Sequence, residues 1–501
     1  MTKDLLYLST NEFIAGIKAV ARRFDCATYP QRNLPADDWA LLVRVGVLLP
    51  ALPEEYGGRN SHVEMCRAVE TLSEWNLPLG MYLTVVTTVG LRPIALWADK
   101  QAKQEVLPLF ARDPMICGFA STEPGCGSAM SSMTTTFEEV DGGYRIVGTK
   151  HWQAFSSTAD WWLVSAKNED HGRRRYGYFI IKRSEGFHTK QPYESLGLQV
   201  IDYGLNHIDA VVPRHRRIEA GEGNLSPMVE MLMASRAMMA AMACGFLRRI
   251  SREAQAYADA RNIGPAPLSA IPFARYRLAD IDTSYSICAA LNHHLQTTLD
   301  FKADMIPAFP AVQAIKTVAT ERMLRAALHY QQLVGGEGYR YGSPTNIAAQ
   351  AALDARVFTI FDGTNDLLSQ QLTEYCLVRL GGRSLSCFLA DWSLTAVGVT
   401  ACDRDLSFLD RNLGQEYLVL AGRAIAYVFT IGQVMRWATE TGADAGTART
   451  AIAFLKADIA SVAGEFDLLA AGVVDTDRGV TSQPIKIPQQ SPERRLRNAA
   501  S

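Results

Sequence analysis

The sequence predicts an α+β fold that is mainly α, with an N-terminal helical domain, a middle antiparallel β domain and a long helical C-terminal half. Three observations predict it. Met228 to Asp259 is rich in Ala, Met, Leu and Arg and poor in Gly and Pro, as a long helix requires. Between Met133 and Val212, short β-prone runs are separated by turn residues instead. The 501 residues, 48% hydrophobic and 20% charged, are enough for several packed units around an ordinary soluble core.

Residues 1–112 read as helices separated by a turn. Val63 to Trp75 (VEMCRAVETLSEW) is amphipathic, and Lys100 to Ala111 is a second such run whose end Pro108 is expected to interrupt. Leu52 to Gly58 (LPEEYGG) is a loop opened by proline and closed by glycine. Residues 113–222 form the β domain, a sandwich or barrel. Asp141-Gly142-Gly143 makes a hairpin turn between Met133–Val140 and Tyr144–Val147, because glycine tolerates positive φ. Trp161–Ala166, Tyr176–Ile181 and His207–Val212 continue the series, and Pro213 closes it. Residues 223–380 turn helical, with Pro310–Leu333 a second long helix after Met228–Asp259. Residues 381–501 add a helical extension, Glu416–Thr439 and Ala448–Leu469, before a polar tail from Asp475 that is expected to be loose.

The formal net charge of −2 gives no field that would hold nucleic acid or anionic lipid, and no basic stripe is visible. The nine cysteines are scattered without a CxxC pair, which points to reduced thiols with neither a disulfide framework nor a metal site. MTKDLLYLST lacks the apolar centre of a signal peptide, so a cytoplasmic protein is expected. Tyr417 to Met435 is apolar but contains Arg423 and Gln433, and lies near the minimum spanning length of roughly 17–20 residues. A buried bundle helix explains it better.

Candidate chemistry lies in four stretches, each with a plain structural reading beside it. Phe119-Ala-Ser121-Thr122-Glu-Pro-Gly-Cys-Gly127-Ser128 brings small hydroxyl residues and glycines together, so its main chain can approach an anionic ligand, or it is an ordinary turn. Lys150-His-Trp152-Gln153-Ala154 follows the hairpin, where a tryptophan is usually core. Gln332-Leu-Val-Gly335-Gly336 ends a helix, where glycines usually form a C-cap. Phe361-Asp362-Gly363-Thr364-Asn-Asp366 suits a turn or a helix entry, with Asp362 as a cap.

The order of the motifs says more than any one of them. LPEEYGG, STEPGCGS, DGGYRIVGTKHW, GLQ…VVP, the helix around Arg236, Ala260-Arg261 followed by Gly264, QLVGGEGY and DARVFTIFDGTND follow one another in register. Over roughly residues 35–375 the chain resembles the acyl-CoA dehydrogenase superfamily. The resemblance implies a C-terminal four-helix bundle, with FAD held between it and the β domain. It places the Thr122 hydroxyl at the flavin's pyrimidine edge, with Phe119 and Ser121 beside it, and Gly127 and Ser128 near the FAD phosphates and the pantetheine arm. It sets Trp152 against the isoalloxazine, followed by Gln153 and Ala154. Thr364 takes the diphosphate position, with Asp366 next to it. Arg236, Phe361 and Gly363 line the acyl pocket together with Ser128. Arg261, Gln332, Gly335 and Gly336 would approach the FAD of a neighbouring subunit, which implies a homodimer or tetramer.

Such a site must polarise a thioester carbonyl with oriented donors and desolvate a carboxylate base, raising its pKa toward neutrality. The resemblance gives one donor as the main-chain N–H of residue 362 and the other as a ribityl hydroxyl. It also marks departures. The usual base is a glutamate where Asp362 stands, and an alternative branch places its glutamate where Ser235 stands. Aspartate is shorter by about 1.5 Å, and misplacement on the order of 1 Å can cost roughly a hundredfold in rate. Ala154 replaces a threonine expected at flavin N5, Ala129 stands where an acidic residue often follows, and Arg261 to Gly264 lacks the phenylalanine of the family run. The expected activity is α,β-dehydrogenation of an acyl-CoA or acyl-carrier-protein substrate with Asp362 as base, and electron-transferring flavoprotein or oxygen as acceptor. A same-fold oxidase, monooxygenase, enoyl reductase or desulfinase, or a flavin-bearing scaffold that has lost its chemistry, stands beside it. The extension resembles that of very-long-chain members in position and helical character.

Overall fold

The computed structural model describes residues 5–29, 32–170, 173–218, 225–411 and 414–472; the expected junction at 222 and the tail from Asp475 lie outside them. The N-terminal helices are α1 (Thr10–Ala21), α2 (Ala36–Arg44), α3 (His62–Trp75), α4 (Leu77–Thr84), α5 (Arg92–Trp97) and α6 (Lys100–Arg112). Helix α1 opens on a capping box: Ser9 accepts from the Glu12 N–H while Glu12 reaches back to the Ser9 main chain. Between α4 and α5 the chain winds as a π-helix, Val85–Leu91, every residue of it buried. Pro108 does not end α6, which runs on to Arg112. The missing N–H removes one bond close to the helix end, and burial of Leu107 and Phe110 on either side outweighs it.

The β domain holds β1 (Cys117–Ala120), β2 (Thr136–Val140), β3 (Gly143–His151), β4 (Trp161–Asp170), β5 (Arg173–Lys182), β6 (Phe187–Tyr193), β7 (Tyr203–Pro213) and β8 (Arg217–Ile218). They form one sheet in the order β6-β7-β3-β2-β4-β5-β8, with β1 also paired to β4. The sheet is mixed rather than purely antiparallel, because β4 pairs in parallel with both β1 and β2. The β2–β3 hairpin turns at Asp141-Gly142, Gly142 supplying φ +78°. Trp161 to Ala166 is buried on both faces, and Trp162 stacks on Phe187 with centroids 4.0 Å apart. Strand β6 had no sequence signal. It is polar, contains Pro192, and forms the sheet edge, where a missing N–H is tolerated.

The C-terminal half contains α7 (Ser226–Ala260), α8 (Pro272–Thr298), α9 (Phe309–Val334), α10 (Ala348–Arg356) and α11 (Asn365–Leu377). Helices α12 (Leu385–Asp391), α13 (Ala396–Cys402), α14 (Gln415–Thr441) and α15 (Ala445–Ala470) form the extension. Helices α7, α8 and α9 pack on one another, and α11 packs on α9. Helix α14 lies against α8, α9 and α11, and α15 against α14 and α8. Leu77–Trp97, Pro227–Ala260 and Gln415–Thr441 are long and apolar enough to cross a membrane, yet most of each lies buried in the fold. Arg325 of α9 bonds Asp280 of α8 at 2.7 Å and Asp458 of α15 at 3.0 Å, tying the extension to the bundle.

Gly422 sets the α14–α11 crossing, since a Cβ there would lie 1.9 Å from the Ser369 carbonyl oxygen. Alanine in a helix is worth about 1 kcal/mol over glycine, but overpacking against backbone costs about 1–3 kcal/mol. Gly422→Ala is therefore expected to destabilise despite its better helix propensity. A urea midpoint equal to or above wild type would show that the two helices can separate freely.

The loop 194–202 joins all three parts. The Gln199 and Val200 carbonyls accept from Asn33 and Leu34 at 2.8 and 3.0 Å. Leu198, left-handed at φ +53°, donates its N–H to Asp354 Oδ1 at 2.7 Å. Burial pushes the Asp354 carboxyl up to about 7, against that bond.

Candidate active site

The loop between α10 and α11 carries Asp362 at its apex. Asp362 (φ +55°) and Gly363 (φ +92°) are both left-handed, a conformation that asparagine and aspartate visit more readily than other side chains. Thr364, not Asp362, is the N-cap of α11, accepting from the Leu367 N–H at 3.3 Å, so the capping reading of Asp362 does not hold. The Asp362 side chain is partly buried. Its Oδ2 accepts from Ser235 Oγ at 2.5 Å, so the two positions at which the family resemblance sought a base meet in space. Burial raises the Asp362 pKa, while Ser235, Arg236 and Lys316 pull it down.

Arg236, expected to line the acyl pocket, braces this loop. It is buried, and its Nε donates to the Asp362 carbonyl at 2.7 Å, gripping the loop from α7. Burial lowers its pKa to about 10, with Asp362 opposing, so it stays charged at neutral pH. Lys316 of α9, fully buried, donates to the Gly363 carbonyl and to Asn365 Oδ1, both at 2.8 Å. Phe361 packs edge-on against Phe358 at 5.1 Å. Sequence reading missed Lys316 altogether, since a lysine inside an apolar helix gives no local signal of what it faces.

The β domain supplies the opposite wall. The Glu123–Cys126 turn is closed by reciprocal main-chain bonds around Gly125 (φ +79°). Glu123 and Lys150 form a fully buried ion pair at 2.8 Å. Lys150 also donates to the Ser121 carbonyl at 3.0 Å, while Thr134 and Thr135 donate to Glu123. Burial alone would raise the Glu123 pKa, but Lys150 and these bonds hold it well below the usual carboxylate range. This pair fixes the loop bearing Ser121 and Thr122. Gln153 is turned inward: its amide donates to the Thr122 carbonyl at 2.9 Å and its Oε1 accepts from Asn206 at 3.1 Å. Its side chain thus braces the loop and is not free for a cofactor. Trp152 is the reverse of a core tryptophan. It is 52% exposed, left-handed at φ +62°, and rests on Tyr193 and Tyr203 with centroids 4.8 and 6.1 Å away. Burial, reinforced by Asp202, Asp354 and Asp362, lifts the Tyr203 phenol well above its usual range.

The remaining candidates form a second, exposed cluster. Gly335 (φ +75°) is the C-cap of α9, as the plain reading expects. Arg261 donates to the Val334 carbonyl at 2.9 Å, and Gln332 and Gly336 stand exposed nearby. Arg261 follows the end of α7, 25 residues beyond Arg236, roughly 37 Å along the helix at 1.5 Å per residue. Asp366, expected beside the cofactor, pairs with Arg423 of α14 at 2.8 Å instead.

The cleft suits the flavin dinucleotide that the resemblance implies. Among the described residues, the hydroxyls of Thr122 and Ser128 make no hydrogen bond within the chain. A Cβ at Gly127 would meet nothing within 4 Å, so the main chain there is open to a ligand. Thr364 presents the N-terminus of the 13-residue α11, whose dipole favours phosphate.

Family models for the N-terminal, middle and C-terminal domains of acyl-CoA dehydrogenase match residues 11–113, 118–211 and 222–376. An acyl-CoA dehydrogenase of Bacillus subtilis is 28% identical over 341 residues, 66% of this chain and 87% of that protein. The crystal structure of an acyl-CoA dehydrogenase complexed with FAD from Bacillus anthracis aligns over 100% of this chain and 94% of its own, with TM-score 0.73 and 19% identity. A prolyl acyl carrier protein oxidase aligns over 73% of this chain and 98% of its own, with TM-score 0.66 and 18% identity. The Bacillus anthracis alignment takes in the extension as well.

Proposed function

The chain belongs to the acyl-CoA dehydrogenase family, and on that premise we propose that it is an FAD-dependent α,β-dehydrogenase of an acyl thioester with Asp362 as its base. The observation that carries the reading is the Asp362 carboxylate: it stands at the cleft on a strained left-handed backbone, with one oxygen held by Ser235. Strain kept at such a point suits a working base better than a lapsed scaffold. FAD, when bound, supplies the acceptor for the hydride that leaves the β carbon. Asp362 takes the α proton, so the thioester loses one proton and one hydride and becomes the enoyl thioester. The main-chain N–H of residue 362 donates to the thioester oxygen as negative charge builds there. Arg236 and Lys316 hold that N–H in place through the carbonyls of residues 362 and 363. The Glu123–Lys150 pair fixes Thr122 on the other wall.

The separation of Arg261, Gln332 and Gly336 from the cleft supports a homodimer or dimer of dimers in which they reach the FAD of a second subunit. All nine cysteines are free thiols, which supports a cytoplasmic, reducing compartment. The test is anaerobic mixing of the purified yellow protein with a panel of acyl-CoAs and acyl-carrier-protein thioesters while the flavin band is followed. Bleaching by one chain length on one carrier identifies both reaction and substrate. A protein that takes up no FAD, or whose flavin no thioester bleaches, overturns the proposal.

Ser235 gives the reaction a pH signature. Only the ionised base takes a proton, so the rate of flavin reduction rises with pH through the Asp362 pKa. Burial raises that pKa and Ser235 lowers it. Ser235→Ala should therefore move the rising limb to higher pH, with Thr restoring it. A limb that stays put would mean that the Ser235 bond does not survive substrate binding.

A further inference from the structure

Beyond the base itself, the C-terminal extension reaches the base loop through side chains, not only through packing. The Gly363 carbonyl, one residue past Asp362, accepts from Lys316 at 2.8 Å. Lys316 also donates to Asn365 Oδ1 at 2.8 Å, so the buried Asn365 decides where the ammonium rests. The Asn365 amide points the other way, toward Thr320 Oγ1 at 3.0 Å and Glu321 Oε1 at 3.4 Å. The second oxygen of Glu321 accepts from the Tyr427 hydroxyl of α14 at 3.0 Å. On that same helix, Arg423 pairs with Asp366 at 2.8 Å and so holds the first turn of α11 from its other side.

We propose that Tyr427 is a positioning residue of the active site, holding Glu321 so that Asn365 and Lys316 keep the Asp362–Gly363 loop in its left-handed form. The inference rests on the function proposed for Asp362. The network branches at Asn365, whose amide also reaches the Thr317 carbonyl at 3.4 Å, so Glu321 is one of its three acceptors. Glu321 is half-buried, and burial raises its pKa against the pull of Arg423, Tyr427, Asn365 and Arg322. Without the Tyr427 hydroxyl, the Glu321 carboxylate loses its 3.0 Å donor, and it either takes up a proton or turns. Either change leaves the Asn365 amide to Thr320 and Thr317 alone, and so loosens the second acceptor of Lys316. Burial already pulls Lys316 down to about 7, with Asp362 and Glu321 resisting and Arg236 assisting. Its charge, which faces the base, is therefore sensitive to what Asn365 does. The extension is thus the far anchor of the catalytic loop.

The experiment compares Tyr427→Phe with wild type in the full-length holoprotein, with Tyr417→Phe as control. Tyr417 belongs to the same helix but packs on Phe466 and has no link to Glu321. Amide hydrogen exchange is followed in the first turns of α11, where the Leu368 N–H bonds the Thr364 carbonyl. Tyr427→Phe should speed exchange there by about fivefold or more, and Tyr417→Phe should leave it unchanged. With a thioester that bleaches the wild-type flavin, Tyr427→Phe should lower the reduction rate by about tenfold to a hundredfold while the half-saturating concentration stays the same. Exchange in α11 that is unaltered in Tyr427→Phe, or raised equally in both variants, overturns the proposal. If no thioester bleaches the wild type, the proposed function fails, and the exchange comparison still judges the role of Tyr427.

Discussion

Asp362→Asn should leave the protein folded and yellow, while the rate at which an acyl thioester bleaches its flavin falls by about 10²- to 10⁴-fold, the range removed with a general base. Asparagine has the same volume and adopts the left-handed backbone as readily as aspartate. Its carbonyl oxygen can still accept from Ser235. Arg236 and Lys316 grip the carbonyls of residues 362 and 363, not the carboxylate, so the loop and its N–H stay in place. Since Thr364 is the cap of α11, no capping energy is at stake. Thioester binding should therefore persist and only the proton acceptor be lost. An Asn variant that bleaches at the wild-type rate would show that another group takes the proton. Asp362→Glu restores about 1.5 Å of reach and should retain activity toward simple acyl-CoAs. It also places a longer side chain on a left-handed backbone, at about 1–2 kcal/mol, so that variant should unfold at lower urea.

Lys150→Met should cost about 3–5 kcal/mol of stability, the usual consequence of removing one partner from a buried ion pair. Glu123 and Lys150 are both fully buried, 2.8 Å apart. Methionine fills the space but strands the Glu123 carboxylate with only the Thr134 and Thr135 donors. The loss should reach the site as well, because Lys150 also holds the Ser121 carbonyl beside Thr122, and FAD should bind more weakly. Its pH dependence has a definite sign. Glu123 is held below its ordinary 4.5, so its contribution is present at neutral pH and is lost as pH falls below that value. Above that pH the variant should lie below wild type in urea titrations, and the gap should narrow on acidification. A gap that is small at neutral pH would mean that water enters and solvates the abandoned carboxylate.

How much of this was legible in the sequence varies from residue to residue. The β2–β3 hairpin follows from Asp141-Gly142, because a turn needing positive φ is set by the residues that make it. Helix α7 follows from a Gly- and Pro-poor run, and the doubly buried β4 from its unbroken apolar stretch. The order of motifs pointed to Asp362 and to the domain plan. All of these depend on residues close together in the chain.

Tertiary structure alone decided what those residues meet. Ser235 and Asp362 are 127 positions apart, and only the packing of α7 under the 361–364 loop makes Ser235 a hydrogen-bond donor to the Asp362 carboxylate. Arg236 became a loop brace and Gln153 an internal strut because each long polar side chain found a buried partner, while Asp366 became a surface partner of the extension. Nothing local told that Lys316 would be buried or that Glu123 and Lys150 would pair, yet both hold loops of the site. The physical reason is one of range. Helix, strand and turn are selected over a few residues, whereas a buried polar group is tolerated only by a partner that distant chain folding brings to it.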